Sequence, residues 1–177
     1  RNEEELRNLM YTAQNKSNGP FVIRYPRGRG VLKNWRTAFE EIKIGTGKKL
    51  KEGSELAIFS LGHPGNFATE AIQNLDNSDL ISHYDIRFLK PLDQELLHEV
   101  FNKFENIITI EDGAINGGLG SAVLEFMNLH NYHAKLFPMG IPDRFIEHGK
   151  PEELYSECGF DAQGIENTIR NILNSTC

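Results

Sequence analysis

Three arginines fall within six residues in the run Arg24-Tyr25-Pro26-Arg27-Gly28-Arg29-Gly30. A guanidinium is a planar fork of donors that matches a phosphate or a carboxylate, so the run could hold an anionic ligand. Pro26 fixes its own φ, and the glycines let the backbone turn. The run leaves a short stretch of β-formers, Phe21-Val22-Ile23. Alternation along an extended chain would turn Tyr25 and Arg27 one way and Arg24 and Pro26 the other. A solvated basic turn or a salt bridge at a domain boundary accounts for the same residues.

Other chemistry-bearing residues have plainer readings. Gly117-Gly118-Leu119-Gly120-Ser121-Ala122-Val123 opens a helix as a phosphate loop would. The dinucleotide fingerprint would need glycine at position 123, and no Walker pattern occurs. Glycines that let a helix approach the sheet or a partner subunit are the favoured explanation. Glu111-Asp112 ends a strand, where α/β proteins place functional groups, and paired carboxylates can raise one pKa. Neighbouring residues on an extended chain point apart, so a loop or capping role is favoured. His130 and His133 share helical spacing, yet Asn131 and Tyr132 mark the end of that helix, and no carboxylate or cysteine lies nearby to complete a metal site. His63 and His148 read as surface loop residues. Asp85-Ile86-Arg87 and Lys90-Pro91-Leu92-Asp93 read as ion pairs at a domain contact. No nucleophile and base can be assembled into one site.

The elements that must position these residues alternate. Glu3, Glu4 and Glu5 begin a helix whose apolar side is Leu6, Leu9, Met10 and Ala13, and Ser17-Asn18-Gly19-Pro20 stops it. Residues 28–41 show no period and read as a crossing linker pinned by Trp35 and Phe39. Strands are expected at 55–61, 80–88, 106–111 and 133–139. Helices are expected at 67–75, after Asp93 as N-cap, after Ser121, and at 151–157 and 162–173. Strands alternating with short helices imply a mainly parallel sheet.

The chain has 177 residues, 39% hydrophobic and 25% charged, with net charge −6 from 19 basic and 25 acidic side chains. These values suit a globular domain, with no basic stripe for nucleic acid and no membrane-length apolar stretch. Cys158 and Cys177 form no disulfide or zinc spacing, which fits a reducing cytosol and a cytoplasmic protein. The chain opens at Arg1 inside a helix and reads as a cut through a longer protein.

Five runs then resemble one family in order. They are Gly19-Pro20 with Ile23-Arg24-Tyr25-Pro26-Arg27-Gly28; Asp85-Ile86-Arg87-Phe88 through Asp93; Thr109-Ile110-Glu111-Asp112 through Ser121; Gly140-Ile141-Pro142-Asp143 through Gly149; and Gly159-Phe160-Asp161 through Ile165. Together they resemble the 1-deoxy-D-xylulose-5-phosphate synthases of the transketolase-like thiamine-diphosphate enzymes. Asp112 stands where that family usually has a second Glu, and Phe160 where it has Leu.

The resemblance implies a three-layer α/β/α transketolase carboxyl-terminal domain over residues 43–177 and a linker over 31–42. Residues 1–30 would be a helix-strand remnant of the preceding pyrimidine-binding domain. It implies a homodimeric transferase joining pyruvate to glyceraldehyde 3-phosphate with loss of carbon dioxide, for isoprenoid, thiamine and pyridoxal synthesis. Thiamine diphosphate and Mg²⁺ would be held upstream of Arg1, and this fragment alone would be inactive. Arg27 would hold the acceptor phosphate, with Tyr25 and Arg24 as its neighbours. Transketolases and 2-oxoacid dehydrogenase β subunits share the architecture, and a non-catalytic subunit-contact module is the remaining alternative.

Overall fold

The structure, a computed structural model, describes residues 1–15 and 19–175. Helix α1 (Glu3–Asn15) is followed by β1 (Lys48–Lys51), β2 (Leu56–Leu61), α2 (Pro64–Gln73), β3 (Ile81–Asp85), α3 (Gln94–Phe101), β4 (Asn106–Ala114), α4 (Leu119–Leu129), β5 (Lys135–Ile141), α5 (Pro151–Glu157) and α6 (Ala162–Asn174). A 3-10 turn at Ser78–Leu80 leads into β3. None of the described helices is long and apolar enough to cross a membrane.

The sheet has the order β1-β3-β2-β4-β5. The central strand β2 lies parallel to β3, with Leu56 opposite Ile81, and parallel to β4, with Leu56 opposite Asn106. β5 continues the parallel set, with Asn106 opposite Lys135. β1 is antiparallel to β3. The four parallel strands match the alternation expected from the sequence. β1 was not expected: its Lys48-Lys49-Leu50-Lys51 carries one apolar residue, too little to mark a strand.

Two cores flank the sheet because successive side chains leave opposite faces. Leu56, Ile58, Ile108 and Ile110 pack against α2 and α6. Ala57, Phe59, Tyr84 and Ile107 pack against α3 and α4. In α6 the residues Ile165, Ile169 and Ile172 recur at helical spacing and are all buried. Asp93 and Asp161 cap α3 and α6, accepting from Leu96 N at 3.0 Å and Gly164 N at 2.8 Å. Such caps stabilise a helix by about 1 kcal/mol each. The result is the three-layer α/β/α arrangement expected.

Residues before β1 depart from expectation in three places. Phe21-Val22-Ile23 forms no strand: Val22 is 90% exposed and no described segment pairs with it. Extended backbone becomes a strand only when a neighbour takes its hydrogen bonds. The buried residues of α1 are Glu5, Asn8 and Thr12, while Met10 on the supposed core stripe is exposed. That helix turns its polar face inward because its neighbours offer backbone donors and a guanidinium. Phe39 does hold its segment to α1, stacked on Tyr11 with ring centroids 5.0 Å apart, but Trp35 meets only the adjacent Arg36 guanidinium at 4.5 Å among the described ring contacts. The helix stop read at 17–20 lies partly outside the described residues.

Candidate functional site

Parallel sheets place ligands and functional groups outside the carboxyl ends of their strands, where the connections diverge. Here β2 and β4 are adjacent, and the helices that follow them, α2 and α4, lie on opposite faces. The ends of β2, β3 and β4 therefore frame a crevice, and α1 lies against it.

Two ion pairs hold α1 there. Arg87 Nη2 donates to Glu5 Oε1 at 2.7 Å, and Arg1 Nε donates to Asp85 Oδ2 at 3.3 Å. Arg87 takes a left-handed backbone, φ 58, uncommon outside glycine, and its N–H donates to Asp85 Oδ1 at 3.1 Å. Burial pushes the Asp85 carboxyl up. The amino terminus, the Arg87 N–H and the Arg1 guanidinium oppose that shift, while Glu5 adds to it. The Glu5 pair is single-pronged: Glu5 Oε2 and Arg87 Nε are buried without a partner among the described residues. One position on, Phe88 meets Phe21 edge to face, with centroids 6.4 Å apart. Asp85, Arg87 and Phe88 thus each grip the amino-terminal segment. The Asp85 and Arg87 charges do form ion pairs, with Arg1 and Glu5, whereas Asp93 serves as a cap and accepts from Gly47 N at 2.8 Å.

The other side of α1 gathers residues 32–42. Leu32 N donates to Glu3 Oε2 at 3.1 Å, and Thr37 Oγ1 to Glu4 Oε1 at 2.9 Å. Glu40 N donates to Asn8 Oδ1 at 3.1 Å, and Ile42 N to Thr12 Oγ1 at 2.8 Å. Glu4, Asn8 and Thr12 stand four apart, so one helical stripe collects successive groups of an irregular chain. That polar stripe was the visible signal for these contacts. It went unread beside the apolar one.

Between Phe21 and Gly30 runs the arginine segment. Arg24, Tyr25 and Arg27 are all exposed, Tyr25 by 68%. Arg24 leans toward the crevice, with Nη1 3.4 Å from where a Cβ on Gly113 would sit. Arg27 forms no hydrogen bond or ion pair with the other described residues in its present surroundings. The segment is no strand, so alternation does not sort its side chains.

At the crevice itself His63 is not a surface residue. Its side chain is 14% exposed and faces Asp112, with Nε2 3.8 Å from Oδ2. Phe67 and Tyr155 close around the ring at centroid distances of 5.8 and 5.3 Å. Burial pushes the imidazolium down; Asp112 opposes this, while the amino terminus and Arg24 reinforce it. The ring is thus neutral near pH 7, and its buried Nε2 lies too far from Asp112 for a hydrogen bond. His148 is exposed as expected.

Glu111 turns the other way from Asp112. It is 5% exposed, and its Oε1 accepts from Gly120 N at 3.1 Å, capping the start of α4. A Cβ on Gly118 would lie 2.1 Å from Glu111 Oε2, and one on Gly120 would lie 2.9 Å from Pro138 Cβ. The glycines admit a buried carboxylate and bring the helix against the sheet, as the plainer reading held. α4 ends at Leu129 with Asn131 left-handed, φ 56, so His130 and His133 do not share a helix. His130 packs on Phe126 and on the His98 ring, centroids 4.3 and 4.6 Å away.

Residues 45–165 match the family model described as the transketolase C-terminal domain. The chain belongs to that family. It is similar to the 1-deoxy-D-xylulose-5-phosphate synthase of Cytophaga hutchinsonii, 58% identical over 173 residues, covering 97% of this chain and 27% of that protein. The enzyme of the same name from Bacteroides thetaiotaomicron is 55% identical over 170 residues, covering 95% and 26%. The resemblance carried by the five runs is therefore upheld, and the chain spans about a quarter of the length of the curated relatives it matches. Among solved structures, one described as a split-gene transketolase, inactive β4 tetramer, matches with TM-score 0.69 and 31% identity over 76% of this chain and 44% of its own. Transketolase from Campylobacter jejuni shares the fold at TM-score 0.53 and 15% identity, over 72% and 18%.

Proposed function

We propose that this chain forms the acceptor-side support and assembly domain of a cytoplasmic, homodimeric 1-deoxy-D-xylulose-5-phosphate synthase. Such an enzyme joins pyruvate to glyceraldehyde 3-phosphate with loss of carbon dioxide. Its product is a precursor of isoprenoids, thiamine and pyridoxal. The reaction rests on the similarity to the named synthases over nearly the whole chain. The role of this part rests on one observation: α1 gives its polar face to the sheet and to residues 32–42 and leaves Met10 exposed, and Val22 and Tyr25 are exposed as well. An apolar surface of this kind suits a further domain. In this reading residues 1–30 close the pyrimidine-binding domain, 31–42 are the linker, and 43–177 are the carboxyl-terminal domain.

Arg27 would hold the acceptor phosphate through its guanidinium fork, with Tyr25 and Arg24 as neighbours. Its exposure and its freedom from partners among the described residues support this role. Among the described residues no group of three or more His, Cys, Asp or Glu could hold a metal ion. Thiamine diphosphate and Mg²⁺ would sit on other domains of the longer synthase.

The purified 177-residue chain should give no turnover with pyruvate, glyceraldehyde 3-phosphate, thiamine diphosphate and Mg²⁺. Measurable product would overturn the support role. In the longer synthase, Arg27→Ala should weaken use of the phosphorylated acceptor by about 10- to 100-fold, the worth of a charge-assisted hydrogen bond. An equal effect on pyruvate would count against a phosphate role. The alternative of a purely non-catalytic subunit-contact module is favoured by the β4 tetramer, which is described as inactive.

A further inference from the structure

The exposed segment between Val22 and Arg29 is held at both ends. At its start Phe21 sits edge to face on Phe88. At its end Gly30 is pressed against Glu3: a Cβ there would fall 1.3 Å from Glu3 Oε1, and the next anchored group, Leu32 N, donates to the other oxygen of the same carboxylate. Glu3 belongs to α1, and α1 is fixed to the end of β3 by the Glu5–Arg87 and Arg1–Asp85 pairs. Arg87 and Phe88 are adjacent. One side chain therefore fixes the helix that carries the segment's end, and the next fixes the segment's beginning. The frame closes through the rigid carboxyl end of a buried strand.

We infer that Glu5, Arg87 and the Glu3–Gly30 contact are positioning residues that set where the Arg27 guanidinium stands, and so set discrimination for a phosphorylated over an unphosphorylated acceptor. This rests on the phosphate reading of Arg27. A fork of donors serves a phosphate only in register, and misplacement by about 1 Å from a remote change can lower rates on the order of 100-fold. Among the described residues the segment has no strand ladder of its own to supply register. The part-buried Glu5–Arg87 pair leaves an atom on each partner unsatisfied, so its net stabilisation is small and its use is placement.

The test uses the longer synthase with Glu5→Gln, Arg87→Gln, Gly30→Ala and the exchange Glu5→Arg with Arg87→Glu. The readouts are KM for glyceraldehyde 3-phosphate, kcat/KM for unphosphorylated glyceraldehyde, KM for pyruvate, and thermal midpoint. Each single variant should raise the phosphorylated acceptor's KM about tenfold while the other two kinetic values stay within about twofold. The exchange should recover part of the loss. On an Arg27→Ala background the same changes should add nothing, because they act through that guanidinium.

Additive losses there would overturn the inference, as would equal losses for both acceptors. Gly30→Ala leaves both ion pairs intact, so it still decides the matter if the Glu5 or Arg87 variants fold poorly. If Arg27→Ala lowers phosphate discrimination and the frame variants do not, only the inference fails. If Arg27→Ala leaves discrimination unchanged, the phosphate reading fails and takes the inference with it.

Discussion

His83 illustrates how one residue can tie the interior to solution pH. It lies in β3, 1% exposed, with Nε2 2.8 Å from Ser60 Oγ. Burial, and then the nearby Arg1 guanidinium, push its pKa from 6.5 down to about 4. The unfolded chain therefore takes up a proton below about pH 6.5 that the folded chain refuses until about pH 4. Its contribution is complete above the unfolded pKa and is lost as pH falls through that window, by on the order of 3 kcal/mol. Urea unfolding at pH 7 and pH 4.5 should show this loss, and His83→Gln should flatten it. A variant as pH-sensitive as the parent would refute the assignment. Glu5 makes a second test at this scale. Removing its charge with Glu5→Gln leaves the part-buried Arg87 guanidinium without its counter-charge, which should destabilise the chain by about 1–3 kcal/mol in the same assay.

Among elements, α4 depends most on a few small residues. Ala is a better helix former than Gly by about 1 kcal/mol, yet Gly120→Ala should lower the thermal midpoint, because overpacking against Pro138 and Thr109 costs about 1–3 kcal/mol. A raised midpoint would mean that the sheet yields there. The same comparison separates what could be read in the chain from what could not. The parallel strands and α2 to α6 were legible because each carries an apolar period or run flanked by Gly, Pro or Asp. Asp93 even marked a helix start to the residue. β1 was illegible because its strand character comes from pairing with β3. The inward face of α1 was illegible because hydrophobic period is a poor guide when the burying surface is polar. Phe21-Val22-Ile23 shows the converse, strand composition without a neighbour. At the site, Arg24, Tyr25 and Arg27 were evident from residue type alone. Glu3 and Glu5 were not, since their partners lie 27 and 82 positions away.

For the whole molecule, the sheet separates two packing problems. Leu97 belongs to the core under α3 and α4, and Ile169 to the core under α2 and α6, and neither is exposed. Leu97→Ala and Ile169→Ala should each destabilise by about 2–5 kcal/mol. The double variant should match their sum within about 0.5 kcal/mol, as expected for residues without shared partners. A clear departure would mean that the sheet transmits repacking from one face to the other. The sheet's margins carry a different consequence. On one side β1 offers Lys48, Lys49 and Lys51, and on the other β5 is interrupted by Pro138, which has no amide hydrogen to give. Charge and a missing donor both discourage an incoming strand. Growth of this sheet from molecule to molecule, the first step toward fibrils, is therefore blocked at both borders, and a concentrated solution of the chain should resist amyloid seeding.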